Sequence, residues 1–239
     1  MILIGIDDTD TLDTPGTNQL ARRLAGSLPT GFDGALILRH QLLFDPRIPY
    51  TSQNGSASLA IRHEPGRRAA ELLPALQAEI RAWYVPGSDP GLCLAERVST
   101  EVVSFGRRCQ REVVGQADAR ALAAADMIHL EGFGGTEDGV IGALAAVGLL
   151  AGGDDGRVVH LPGWTWPDDF AGWQTAASVL GRGVQEIRVR ETGHTVDEGL
   201  IDVGRHLRPS YRNGRVVLVV EPVDGEEEPG PRWRALKLP

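Results

Sequence analysis

The first twenty residues, MILIGIDDTDTLDTPGTNQL, commit the chain to a strand, an acidic loop and a helix. Ile2 to Ile6 is a short, largely β-branched run and reads as a buried strand. Downstream, Leu20, Ala21, Leu24 and Leu28 recur near helical spacing, so 17–28 reads as a helix. Between the two stand Asp7, Asp8, Thr9 and Asp10, with Pro15 and Gly16 ending the loop. A strand that feeds a helix in this way sets its loop at the strand's carboxyl end, where α/β proteins commonly bind ligands.

The rest of the chain is built from short pieces. Thirty glycines and fifteen prolines in 239 residues argue against a bundle of long helices. Strands are expected at 35–43, 58–61, 185–190, 216–221 and 233–238. Helical patterns cover 67–83, with a kink or break at Pro74, then 112–125 as one helix or two, and 168–180. A further helix of small apolar residues follows Gly134-Gly135 and is stopped by Gly152, Gly153 and Gly156. The stretch 224–230, DGEEEPG, reads as an exposed acidic turn. Helices alternating with short strands give an α/β to α+β class, divided here as 1–165 and 166–239.

A formal net charge of −8 disfavours a broad, sequence-blind grip on nucleic acid, although Arg107, Arg108 and Arg111 cluster locally. Cys93 and Cys109 stand in no metal-ligand spacing. The opening apolar stretch is too short for a signal peptide and lacks a basic flank, and the run 140–151 is too short to span a bilayer. A soluble, cytoplasmic protein is the expectation.

Three segments are candidates for chemistry. If the chain stays extended after Ile6, Asp8 and Asp10 face one side while Asp7 and Thr9 face the other. Asp8 and Asp10 are then a natural Mg2+ pair, and Asp7 is left to orient a base, an arginine or a water. The competing reading makes Asp10 a turn former and leaves the other acids solvated. In the second segment, Gly134, Gly135 and Thr136 at a helix start either present bare N–H groups to an anion or simply cap the helix, with Glu137 and Asp138 complementing its dipole. The third, FDPRIPYTSQNGSA, is a proline-stiffened loop that leaves Arg47, Tyr50, Thr51, Ser52, Gln53 and Asn54 to make contacts. There is no Walker loop, no GxSxG and no HxxxH pair.

GIDDTD, then DPRIPY with its Asn/Gly-rich sequel, then GVIGALAAVG occur in this order. Together they resemble the N-terminal part of the tRNA(Ile2) 2-agmatinylcytidine synthetase family, and GRVVLVVEP and RWRALKL are similar to a later part of it more loosely. The resemblance implies a kinase-like α/β domain with an associated ferredoxin-like α+β domain, the latter placed at 166–239. It implies ATP and Mg2+ as cofactors, with Asp7, Asp8 and Asp10 as catalytic and metal-holding acids. Phosphates would lie near the opening loop and the turn of Gly134, Gly135 and Thr136, with Asn54 a further cofactor contact. The family's phosphorylated threonine aligns with Asn18, leaving the adjacent Thr17 as the candidate acceptor. Thr51 and Gln53 stand where the family has basic residues, so the alternative is a nucleotide- or small-phosphate-binding module without catalysis. No counterpart of the family's OB-fold and zinc-ribbon parts is present, so tRNA is not expected to be held by this chain without a separate RNA-binding partner.

Overall fold

Met1–Gly152 and Gly153–Pro239 form two units in the computed structural model, which describes residues 1–48, 53–165, 170–223 and 230–238. Tyr50, Thr51 and Ser52, the start of the expected 168–180 helix and 224–229 of the acidic turn lie outside the described residues.

In the first unit the order is β1 (Ile2–Asp7), α1 (Thr17–Gly26), β2 (Phe32–Gln41), β3 (Gly55–His63), α2 (Leu73–Trp83) and β4 (Gly91–Ala95). The strands pair antiparallel as β4-β1-β3-β2, the split βαβ order of ferredoxin-like folds. That order lies in unit 1, ahead of the 166–239 stretch where the sequence reading places it. A short strand, β5 (His129–Gly132), extends the sheet beside β4. Pro74 does not kink a helix. It stands in the first turn of α2, after a 3-10 turn at Ala69–Glu71, where a missing N–H breaks no hydrogen bond.

Side-chain alternation sends Ile2, Ile4 and Ile6 to one face of β1 and Leu3, Gly5 and Asp7 to the other. The isoleucines are fully buried on the side covered by α1, whose Leu20, Ala21 and Leu24 are buried as well. The opposite face carries α5 (Gly139–Gly152), which is buried almost all round, as its uniformly apolar sequence requires. This helix lies so close that a Cβ on Gly5 would fall 1.9 Å from the Ala143 carbonyl oxygen. Backbone cannot give way as a side-chain tip can. Gly5→Ala should therefore lower stability by about 3 kcal/mol in a urea titration, and an unchanged midpoint would show that α5 is free to lift.

Beyond α5 lie α3 (Thr100–Cys109) and α4 (Gln116–Ala125), which add Val102, Phe105, Ala119 and Ala123 to the core. The expected 112–125 helix thus begins at Gln116, after Gly115. The additional helix α3 is started by Ser99, whose hydroxyl accepts from Val102 N at 3.3 Å.

The second unit contains β6 (Arg157–His160), β7 (Trp173–Thr175), α6 (Ala176–Gly181), β8 (Glu186–Val189), β9 (Leu200–Asp202), β10 (Ser210–Arg212), β11 (Arg215–Pro222) and β12 (Arg232–Ala235). Strands run in the order β6-β10-β11-β12-β9-β7, with β8 parallel to β11. The expected 168–180 helix is shorter than its pattern. Gly172 takes φ 67°, Trp173–Thr175 pairs with β9, and only Ala176–Gly181 is helical, begun by Thr175 Oγ1 accepting from Ser178 N at 3.1 Å. Among the described residues no helix is long and apolar enough to cross a membrane.

Candidate functional site

The extended run of β1 ends at Asp7, and Asp8 turns into the left-handed region at φ 49°. Aspartate tolerates that conformation better than most residues because its short side chain bonds locally. The turn abolishes the simple alternation expected of Asp7 to Asp10. Thr9 becomes fully buried and donates through Oγ1 to Thr17 Oγ1 at 3.2 Å. Asp10 folds back on the start of α1, where its Oδ1 accepts from Thr17 N at 3.2 Å and from Thr17 Oγ1 at 2.9 Å. Asp10 is thus a capping residue for the start of α1.

Register brings a second acid to the first group. Asp7 pairs with Gly91, so Asp89 arrives beside the acidic loop and donates its N–H to the Asp8 carbonyl at 3.0 Å. The Asp89 carboxylate accepts from Thr136 N at 3.1 Å, Glu137 N at 2.6 Å and Asp138 N at 3.2 Å, and also from Thr136 Oγ1. The N–H groups of this turn, readable either as an anion site or as a simple helix start, are filled from within the protein. Gly134 lies against the Tyr84 ring and Gly135, at φ 63°, against Asp89.

The opening loop, Asp89, parts of the 42–55 and 109–116 segments and the start of α5 enclose a cavity of about 260 Å³. Asp7, Asp8, Asp10, Thr17 and Asn54 all line it, and Gly134, Gly135 and Thr136 do not. The sequence reading missed Asp89, Asp138, Gln116 and an apolar wall that includes Val114 and Ile141. No local signal marks Asp89, because β4, which it precedes, is buried at every position and shows no alternation. Thr17 faces the cavity, whereas Asn18 does not. Asn54 holds the loop mouth, with Nδ2 donating to the Leu43 carbonyl at 2.8 Å. Gln53 accepts from Arg39 Nη2 at 2.9 Å. Arg47, the one Lys or Arg among the described lining residues, is bonded to Asp45 at 2.8 and 2.7 Å.

Asp7 rests on bare helix backbone: a Cβ on Gly142 would lie 1.7 Å from its Oδ2. Burial, and then the charge of Asp8, push the Asp7 carboxyl up to about 8, although it keeps an edge on the cavity and Arg39 partly opposes the shift. Burial, followed by the charges of Asp89, Asp10 and Asp138, pushes Asp8 up to about 6. Such carboxylates are stabilised by any cation that reaches them. The donors are oxygens throughout, which suits a hard divalent cation. Among the described residues no three His, Cys, Asp or Glu form a metal cage. Mg2+ does not require one, since one or two carboxylates and substrate phosphates commonly suffice. The residues therefore fit the ion.

The chain is similar to a tRNA fluorescent labeling enzyme, at 24% identity and a TM-score of 0.54, over 62% of this chain and 35% of that one. It is similar to apo TiaS (tRNAIle2 agmatidine synthetase), at 23% and 0.52 over 62% and 35%, and to TiaS in its complex with tRNA(Ile2) and ATP, at 23% and 0.53 over 62% and 36%. The likeness establishes the fold, and the chain spans about a third of the length of those proteins. No protein-family model and no curated protein matches it.

Proposed function

We propose that the unit 1 cavity binds a nucleotide with Mg2+ and transfers or hydrolyses its terminal phosphoryl group. The observation that carries this reading is the convergence of Asp7 and Asp8, both driven toward protonation, with Thr17 in one oxygen-lined cavity. The solved complex of the similar TiaS with ATP supports the choice of nucleotide.

Asp8, with Asp10 beside it, would hold the ion, with Asp7 behind them. Bound Mg2+ supplies charge neutralisation on the phosphates. Thr17 is the acceptor: its hydroxyl proton already points at Asp10 Oδ1. As Thr17 Oγ bonds to the terminal phosphorus, the bond to the bridging oxygen breaks and the proton passes to Asp10. The expected result with ATP and Mg2+ is a mass gain of about 80 Da, the phosphoryl group. Thr17→Val should abolish that gain while leaving nucleotide binding in place. Asp8→Asn should weaken MgATP binding by about tenfold or more in calorimetry. Wild-type-like binding by Asp8→Asn would remove the metal assignment.

One observation favours the second reading, a binding module without chemistry. Arg47 is already tied to Asp45, so no described cation in the cavity is committed to the transferring phosphoryl. MgATP binding with no mass gain and no released phosphate would establish that module.

A further inference from the structure

We propose that unit 2 carries a second, phosphate-binding site in the groove between the 202–208 turn and β12. This groove encloses about 350 Å³ and is lined by Arg205, His206, Arg208, Arg234 and Lys237. The lining acid is Asp202, whose Oδ1 already accepts from Gly204 N at 2.9 Å. Four Lys or Arg side chains against one acid is an unusual balance for this chain, which has 24 Lys and Arg to 32 Asp and Glu. The excess is therefore local.

Arg205 and Arg208 are also available. Among the described residues, neither Arg205 nor Arg208 has a carboxylate partner, and Arg205 is exposed. Arg234 has only a 3.8 Å contact with Glu221, too long to hold its guanidinium in place. Its Asp202 neighbour on β9 is the acid already bonded to the turn. Guanidinium groups converging on a concave surface concentrate positive potential and present paired N–H donors, the geometry that phosphate oxygens accept. The ligand is thus a phosphate ester or anhydride, either free or in a polynucleotide backbone. The site shares no residue with the unit 1 cavity, and the two readings stand or fall separately.

The test uses the full chain at low ionic strength with two probes: inorganic pyrophosphate in calorimetry, and a labelled single-stranded oligonucleotide of about ten nucleotides in fluorescence anisotropy. At least one probe should bind, and the double variant Arg205→Glu, Arg208→Glu should weaken it by about tenfold or more. Arg62→Glu, at an exposed unit 1 position and with the same charge change as Arg205→Glu alone, should leave binding within about twofold. Pyrophosphate binding alone identifies a small phosphate ligand. Oligonucleotide binding alone, falling steeply with salt, identifies a backbone. If the double variant fails to fold, Arg205→Glu at the exposed position should still weaken binding several-fold. Failure of both probes to bind overturns the site, as does equal loss in Arg62→Glu or no loss in the Arg205 variants.

Discussion

Replacing Asp89 with alanine is expected to lower the unfolding free energy by about 3 kcal/mol. Its carboxylate answers three consecutive N–H groups and the Thr136 hydroxyl at the entry to α5. Hydrogen bonds to a charged acceptor contribute about 1.5–3 kcal/mol each, and water can replace some of those at Thr136 and Asp138, which lie near the surface. The loss is therefore set below the sum. A counter-effect exists, because Asp89 is the leading charge that raises Asp8, so removing it lets Asp8 ionise more readily. One pH unit of relief is about 1.4 kcal/mol, which does not cancel the broken cap. Asp89→Asn should lose about 2 kcal/mol, since its amide oxygen can replace Oδ2 without charge but its NH2 then faces the Glu137 N–H. Urea titrations at pH 7 measure both. A loss below about 1 kcal/mol for the alanine variant would mean that α5 starts without Asp89.

What was legible in the sequence follows the range of the interactions concerned. Strand β1 and helix α1 could be read because their burial is written in local periodicity, in Ile2, Ile4 and Ile6 and then Leu20 and Leu24. Strand β4, GLCLA, could not. It is buried at every position, so it has no alternation, and Gly91 and Cys93 give little β signal. With β4 unseen, nothing in the local spacing could bring Asp89 to Asp8, because only the Asp7–Gly91 register does so. The same gap explains the turn of Gly134, Gly135 and Thr136. Its glycines and free donors read as an anion site, and the anion that occupies it is a side chain 47 residues away from Thr136. The left-handed turn at Asp8 was likewise hidden, since aspartate occurs in both extended and turned backbone.

The second large effect concerns Asp7. In metal-free protein, Asp7→Asn should be more stable than wild type at pH 8 and about equal to it at pH 5. The Asp7 carboxyl is raised from 3.8 to about 8, so between those values the folded state holds a proton that the unfolded chain has released. Stability then falls as pH rises, the reverse of a salt-bridged carboxylate. Asp8, raised to about 6, acts in the same direction over a narrower window. The full Asp7 shift would be an upper bound. The cavity edge of Asp7 and the opposing charge of Arg39 reduce it, and about 2 kcal/mol between pH 5 and 8 is expected. Asparagine preserves the shape against Gly142 and cannot ionise, so its urea midpoint should fall less than the wild type's over the same range, by the Asp8 contribution alone. A wild-type midpoint that does not fall from pH 5 to pH 8 in chelator would show that the cavity hydrates Asp7 fully. Adding Mg2+ at pH 8 should then restore wild type more than Asp7→Asn, because only an ionised Asp7 gains from a cation beside Asp8. If pH lowers the midpoint and Mg2+ fails to raise it, the buried charge stands and the metal reading does not.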